Sequence, residues 1–360
     1  MTGRFRHATV GGMEPYVPVV DISGWPAGGA VRERIADEVD AACRRLGFLQ
    51  IAGHGVDDAT TAAMLAASEA IFGLPLDEKM AMAAPPHINR GYAPVGSESL
   101  TYSLGVDSPP DLFEAFNIGP DDVPADDPVY TAQLEGVFAP NIWPVDLPAV
   151  RNDLVAYFRA VSGLARRLIS IFAVALGLPD DHFLPMCDHA TETLRLNNYV
   201  RRVGGADLLP GQLGMGAHTD YGIVTVLYGD RVPGLEIVGP DGEWHGVVPE
   251  EGMFLVNLGD LLARWTNDRW RSTVHRVVPP SGSGPARRRS AAFFHDGNYD
   301  ALVECLPTCL EPGESPRYPP VVAGEHLTAK LLSGRSRSSE PRAEVVDTIG
   351  DRIGAVTRDL

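Results

Sequence analysis

The chain has 360 residues, with 30 Lys and Arg against 47 Asp and Glu, which gives a formal net charge of −17. This length accommodates one large domain or two small ones around a sizeable core. The acidic balance argues against binding of nucleic acid or of an anionic membrane, and no stretch approaches the ~20 apolar residues of a membrane span.

The four cysteines are too few for a disulfide scaffold, and their spacing completes no zinc site. They are Cys43, Cys187, Cys305 and Cys309. The N-terminus, MTGRFRHATVGG, lacks the apolar core of a signal peptide. We therefore expect reduced thiols in a cytoplasmic protein. We also expect a monomer or a homodimer.

The N-terminal half predicts helices and short strands. Residues 16–25 predict an edge strand, residues 30–48 a helix, and residues 48–53 a second strand. The apolar face of the helix comprises Val31, Ile35, Val39 and Ala42. A second helix is predicted at 57–75, with an aspartate at 57 or 58 as its N-cap.

Residues 80–146 are rich in Pro, Gly, Ser and Asp, which is typical of ordered loops with short strands. The longest predicted helix covers 147–179 and ends at Gly177 and Pro179. Its apolar stripe comprises Leu154, Phe158, Val161, Leu164, Leu168, Ile171 and Val174.

From residue 193 the pattern changes to short β-rich segments divided by Gly and Pro turns. These segments are 193–200, 223–227, 235–238, 243–248, 252–259, 272–278 and 289–294. Seven short strands with regular turns predict a β-sandwich or a jelly-roll barrel. A short helix at 324–332, a polar linker at 333–342 and an amphipathic helix at 343–356 follow.

We therefore predict an α+β, mainly β, chain in three parts. Residues 1–146 form an N-terminal region that packs on the barrel. Residues 147–332 form the barrel core with its long bracing helix. Residues 333–360 form a C-terminal extension.

His218 and Asp220 lie two residues apart on an extended segment, which places an imidazole and a carboxylate on the same side. Because two groups hold a transition metal poorly, we expect a third ligand on another strand. His275, in a β-branched run, is the best candidate. Two histidines and one carboxylate are typical of a non-haem Fe(II) site with open coordination positions. The alternative is that these residues only form hydrogen bonds within the strands.

Arg288 and Ser290 alternate on one predicted strand, and a guanidinium beside a hydroxyl is well suited to bind a carboxylate. Arg287 and Arg289 should face the other way, although a solvated basic loop remains an alternative. Asn197 and Tyr199 also share one strand face in a region that could contact a ligand near the metal.

The chain resembles the isopenicillin N synthase-like branch of the Fe(II)/2-oxoglutarate-dependent oxygenases over about residues 16–333. The motifs that carry the resemblance, in chain order, are VPVVDIS, LGFLQIAGHGV, FGLPLDEKM, RGYAPVGSE, DLFEAFNIG, LRLNNYV, GAHTDYGIVTVL, VNLGDLLARWTNDRWRSTVHRVV and RRSAAFF. A lone His-x-Asp would be weak, but the order and combination of these motifs are specific.

The resemblance implies a double-stranded β-helix, or jelly roll, with flanking helices. It also implies that His218, Asp220 and His275 are the iron ligands, which would also make them the catalytic centre.

For the co-substrate, the resemblance implies that Arg288 and Ser290 hold the far carboxylate of 2-oxoglutarate. It also implies that Asn197 and Tyr199 contact the metal-chelating end of that molecule. The expected reaction is a hydroxylation, desaturation or cyclisation of a small natural-product substrate. It would consume O₂ and 2-oxoglutarate and release succinate and CO₂, with ascorbate as a candidate reductant.

Three alternatives stay open at this point. Isopenicillin N synthase and the aminocyclopropane carboxylate oxidases also resemble the chain, yet they use no 2-oxoglutarate. The other two are a metal-holding barrel that only binds a small molecule, and a zinc hydrolase.

For the substrate pocket we expect residues from 80–120, from 201–215 and from the C-terminal segment. Tyr92, Tyr102 and Phe113 are the candidate wall residues.

Overall fold

The computed structural model of the chain describes residues 15–335, except for residues 86, 125, 134–135, 201–208 and 281–285. This described part contains 14 strands and seven α-helices. The strands are β1 (Val19–Asp21), β2 (Phe48–Ala52), β3 (Gly91–Ala93), β4 (Glu114–Ile118), β5 (Ala190–Val200), β6 (Met215–His218), β7 (Val224–Gly229), β8 (Leu235–Val238), β9 (Trp244–Gly246), β10 (Phe254–Leu258), β11 (His275–Val277), β12 (Arg287–Asn298), β13 (Leu302–Val303) and β14 (Val321–Val322). The helices are α1 (Gly29–Arg45), α2 (Asp58–Gly73), α3 (Leu76–Ala81), α4 (Pro128–Thr131), α5 (Pro148–Ala175), α6 (Asp260–Trp265) and α7 (Ala323–Arg335).

Two facing sheets form the body of the fold. The major sheet has the order β1-β2-β10-β7-β12-β5-β4-β3, and the minor sheet has the order β6-β11-β8-β9. All seven β segments expected from the sequence lie on these strands. The double-stranded β-helix with flanking helices is therefore confirmed.

The N-terminal region extends the major sheet at both of its edges. β1 pairs in parallel with β2 at one edge, while β3 and β4 continue the sheet beyond β5 at the other. The strands β1 to β4 of this region are therefore hydrogen bonded into the same sheet as strands of the barrel.

The long helix α5 covers the outer face of the major sheet. α1 and α2 pack against it, and its Phe158 ring meets the Phe293 ring of β12 edge to face, with centroids 5.0 Å apart. Most of the predicted stripe is buried, including Leu168 in the C-terminal half of the helix. On α1 the predicted apolar face is buried apart from Val31, which is exposed near the start of the helix.

The helix predicted at 324–332 is present as α7, which continues to Arg335. The expected boundary at 332/333 therefore falls inside a helix. α7 packs against β12 and the short 3-10 helix at residues 100–104. The amphipathic helix expected at 343–356 lies outside the described residues. No helix within the described ranges is long and apolar enough to cross a membrane.

The packing of α5 makes a stability prediction. Leu168→Ala should lower the free energy of unfolding by about 2–5 kcal/mol, because Leu168 is fully buried and its truncation leaves a cavity. Leu184→Ala is the control, because Leu184 is 58% exposed and should cost less than about 1 kcal/mol. Chemical denaturation of both variants measures the difference, and similar costs would contradict the bracing role of α5.

Candidate active site

The pairing of β6 with β11 brings three potential metal ligands together. In the antiparallel register, His275 at the start of β11 lies opposite His218 at the end of β6, and Asp220 follows two residues later. Asp220 Oδ1 is 3.8 Å from His218 Nε2 and 3.7 Å from His275 Nε2. All three side chains are buried, and one ligand atom of each lies within 4.8 Å of the others.

Hydrogen bonds to the backbone orient the two imidazole rings and leave their Nε2 atoms unbonded. The Nδ1–H of His218 donates to the carbonyl oxygen of Gly216 at 2.7 Å, and that of His275 donates to the carbonyl oxygen of Thr273 at 3.1 Å. A carbonyl only accepts, so each Nδ1 carries the proton and each Nε2 keeps its lone pair for a metal.

The carboxylate of Asp220 is oriented in the same way. Its Oδ2 accepts hydrogen bonds from Thr225 Oγ1 and, at 2.5 Å, from Asn257 Nδ2. Oδ1 is the atom that faces both histidines. Two imidazoles and one oriented carboxylate oxygen are a donor set that fits Fe(II).

The charge state of His218 also suits the binding of a metal ion. Burial and the neighbouring His275 lower the pKa of His218 to about 4, although Asp220 acts in the opposite direction. The ring is therefore neutral at physiological pH, which is the form that binds metals.

A cavity opens beside these residues, and alternate residues of β5 and β12 line its wall. From β5 they are Thr191, Thr193, Arg195, Asn197 and Tyr199, and from β12 they are Arg288, Ser290, Ala292, Phe294 and Asp296. Because side chains alternate along a strand, each strand turns one whole set toward the cavity.

Arg288 is the one arginine of the three consecutive ones that lines the cavity. It is 2% exposed, and its guanidinium lies over the Tyr199 ring at 5.1 Å from the centroid. Among the described residues, its Nε and Nη1 have no hydrogen-bond partner. Arg287 and Arg289 instead form ion pairs with Glu69 of α2. A buried guanidinium with free donors is prepared for an anion.

The other predicted co-substrate residues lie next to Arg288. Asn197 Nδ2 donates to Ser290 Oγ at 3.4 Å, and Asn197 Oδ1 accepts from Arg195 Nε at 3.2 Å. The hydroxyl of Tyr199 is 3.7 Å from the sulfur of Met215. The structure therefore places all four predicted residues at one end of the cavity.

The expectation for the aromatic wall residues was wrong. Tyr92, Tyr102 and Phe113 are absent from the cavity wall. The Tyr92 hydroxyl donates to Glu114, the Tyr102 hydroxyl donates to Asp107, and Phe113 packs under the Arg195 guanidinium. The sequence around these aromatic residues does not indicate in which direction their side chains point.

Parts of 80–120, of 201–215 and of the C-terminal segment do line the cavity, through other side chains, while residues 201–208 lie outside the described residues. The lining residues are Asn89, Arg90, Glu98, Leu100, Met215, Leu327 and Leu331. Arg195 Nη2 forms an ion pair with Glu98 Oε2 at 2.7 Å, which the sequence analysis did not predict. Counting back by twos from Asn197 along β5 would have placed Arg195 on the cavity face.

A second unpredicted group, Asp260, supports the three potential metal ligands. Its backbone N–H donates to the carbonyl oxygen of Asp220 at 2.8 Å. Its carboxylate accepts from Ser272 at 2.7 Å and from Thr219 at 3.2 Å, and it lies 3.1 Å from the ammonium of Lys330 on α7. Burial alone would raise the pKa of Asp260, but Lys330 and His326 outweigh it and hold that pKa well below its usual range.

A jelly roll with this donor set beside an arginine-lined cavity defines a mononuclear non-haem iron enzyme. Two family models match the chain. Residues 17–146 match the N-terminal domain of a non-haem dioxygenase in morphine synthesis, and residues 191–297 match the 2OG-Fe(II) oxygenase superfamily.

Proteins of similar sequence or structure match this chain over most of its length. The 2-oxoglutarate-Fe(II) type oxidoreductase hxnY of Emericella nidulans is 34% identical, over 91% of each chain. Validamycin A dioxygenase of Streptomyces hygroscopicus subsp. limoneus is 35% identical, over 88% of this chain and 86% of its own. Neurospora crassa T7H, solved with α-ketoglutarate and thymine, superposes with a TM-score of 0.76 at 28% identity, over 88% of this chain and 96% of that one.

The chain belongs to the 2OG-Fe(II) oxygenase superfamily. It is an Fe(II)- and 2-oxoglutarate-dependent dioxygenase that uses O₂ to oxidise a small molecule. This result favours the first interpretation of the sequence over an oxidase that does without 2-oxoglutarate.

The Asp260–Lys330 pair makes a prediction about stability. Lys330→Met and Asp260→Asn should each lower the free energy of unfolding by about 3–5 kcal/mol, because each leaves a buried charge uncompensated. The double variant should lose less than the sum, with a coupling of at least about 1 kcal/mol. Urea denaturation of the wild type, the two single variants and the double variant measures these losses as a double-mutant cycle. Additive losses would show that the two groups are not coupled.

Proposed function

We propose that His218, Asp220 and His275 bind the catalytic Fe(II) of this dioxygenase. The observation that carries this assignment is the convergence of the two Nε2 atoms on Asp220 Oδ1. The Nδ1 atom of each ring is already hydrogen bonded to a backbone carbonyl. When bound, iron supplies oxidative decarboxylation of 2-oxoglutarate to succinate and CO₂, coupled to oxidation of a substrate C–H bond. The three residues leave about three positions for exogenous ligands.

The second part of the proposal concerns the co-substrate. Arg288 and Ser290 bind the far carboxylate of 2-oxoglutarate, while Asn197 and Tyr199 border its chelating end. Arg288 is buried, its Nε and Nη1 have no partner among the described residues, and its guanidinium lies over the Tyr199 ring. The carboxylate would satisfy the charge and the free N–H donors of Arg288 together, which is the strongest kind of protein hydrogen bond.

The remaining residues exclude water and fix the substrate. Leu327 and Leu331 of α7 and Leu100 add apolar side chains to the wall of the same cavity. A desolvated site strengthens each electrostatic contact and limits unproductive oxidation. We infer a natural-product or amino-acid-like substrate, supported by the relatives named validamycin A dioxygenase and proline hydroxylase buaE. The outcome would be a hydroxylation, desaturation or ring closure.

We also propose that the protein works in the cytoplasm, which its free cysteines support. A monomer or homodimer stays a prediction.

The metal assignment is tested by removing one ligand. His218→Ala should lower the affinity for Fe(II) by about a hundredfold or more, and succinate release with 2-oxoglutarate and ascorbate should fall to background. His245→Ala is the control, since His245 lies on β9 and pairs with Asp241. Anaerobic equilibrium dialysis measures the bound iron. Unchanged iron binding by His218→Ala would refute the assignment.

The co-substrate assignment has a matched control on the same strand. Arg288→Met should weaken 2-oxoglutarate binding by about a hundredfold, because a charge-assisted carboxylate contact is lost. Arg289→Met removes the same charge from the outer face and should change the affinity by less than about twofold. Dialysis with labelled 2-oxoglutarate distinguishes them. Equal losses would contradict the proposed contact.

A further inference from the structure

The inward-facing residues of β12 continue well beyond the co-substrate end. Asp296 lies six residues after Ser290, or roughly 20 Å along an extended strand, and it lines the same cavity. Phe294 is opposite Thr193 of β5 and opposite Thr225 of β7, whose hydroxyl donates to the Asp220 carboxylate. The far end of the cavity is therefore beside the iron-binding segment and away from Arg288.

Asp296 is a carboxyl group without a partner. Among the described residues, it makes no hydrogen bond and no ion pair, although it borders the cavity. It packs so closely against Gly222 that a Cβ at residue 222 would lie 1.7 Å from its Oδ1. Burial raises the pKa of Asp296 to about 8, and the Asp220 and Glu192 carboxylates add to that rise.

The arginines that line the cavity do not pair with Asp296. Arg195 forms its ion pair with Glu98, and Arg288 lies at the opposite end of β12. Arg90 donates to the backbone carbonyl oxygens of Asn89, Val137 and Ala139. None of these arginines forms an ion pair with Asp296, so a bound cation would stabilise the ionised carboxylate that burial disfavours.

Two neighbouring side chains complete the surroundings of Asp296. Phe294 lies on the same face of β12 and offers an aromatic ring, which attracts a cation to its face. Thr191 of β5 is 5% exposed and lines the cavity, and its buried Oγ1 has no hydrogen-bond partner among the described residues. A hydroxyl of this kind can accept a hydrogen bond from an ammonium.

We propose that Asp296, Phe294 and Thr191 form a subsite for a basic nitrogen of the substrate, a protonated amine or guanidinium. This inference rests on the proposed function, because the substrate must enter the cavity that the iron and 2-oxoglutarate share. The bound nitrogen would hold the carbon atoms next to it beside the iron-binding segment.

The test compares two probes of equal length, n-hexylamine and n-hexanol. They are titrated calorimetrically into the full chain loaded with Mn(II), as a redox-inert replacement for Fe(II), and with 2-oxoglutarate. The wild-type protein should bind the amine at least about tenfold more tightly than the alcohol, since the amine alone gains a charge-assisted contact. An equal affinity, or no measurable binding of the amine, would overturn the subsite.

Two variants test whether Asp296 causes the preference for the amine over the alcohol. Asp296→Asn keeps the shape and should bring amine binding to within about twofold of alcohol binding. Asp300→Asn removes the same charge from an exposed position four residues along the chain and should behave as wild type. A persisting amine preference in Asp296→Asn would refute the role of that carboxyl. The wild-type comparison decides the proposal even if this variant does not fold.

The same samples separate this inference from the proposed function. If Mn(II) and 2-oxoglutarate bind normally but the amine is not preferred, only the subsite is wrong. If 2-oxoglutarate fails to bind the metal-loaded wild type, the proposed function itself fails.

Discussion

The antiparallel pairing of β6 with β11 is the constraint on which the active site depends. It places His218 opposite His275 at the point where the first strand ends and the second begins. A slip of one residue would turn one imidazole to the other face of the sheet and separate the ligands. The register shifts between His275 and Val277, an irregularity of the kind that often re-aims a side chain next to an active site.

The C-terminal helix contributes to this arrangement through one buried charge. Asp260 accepts hydrogen bonds from Thr219, between two proposed ligands, and from Ser272, three residues before the third. A buried carboxylate is costly unless a cation lies close, and Lys330 of α7 supplies it. The same helix lines the cavity with Leu327. The segments that carry the ligands and the wall of the cavity are thus joined by one ion pair.

Much of the fold and the polar centre of the site could be predicted, because they rest on local spacing. Alternation along a strand, together with the spacing to Ser290, was enough to choose Arg288 among three arginines. The Asp260–Lys330 pair joins residues seventy positions apart, and no local pattern indicates such a contact. Tyr92, Tyr102 and Phe113 show the other limit, since an aromatic side chain in a loop or a fully buried strand has no periodic signal of its direction.

The distribution of charge along β12 gives the two bound molecules separate ends of one cavity. Among the described residues, Arg288 has two N–H groups without a partner at one end, and Asp296 has an unpartnered carboxyl at the other. The proposed iron ligand Asp220 lies between them, because Thr225, which donates to it, is opposite Phe294. A dianionic co-substrate is attracted to the guanidinium at the first end, while a cation at the second end would stabilise the ionised form of Asp296. In the proposed arrangement, the two molecules would therefore reach the iron without competing for the same contacts.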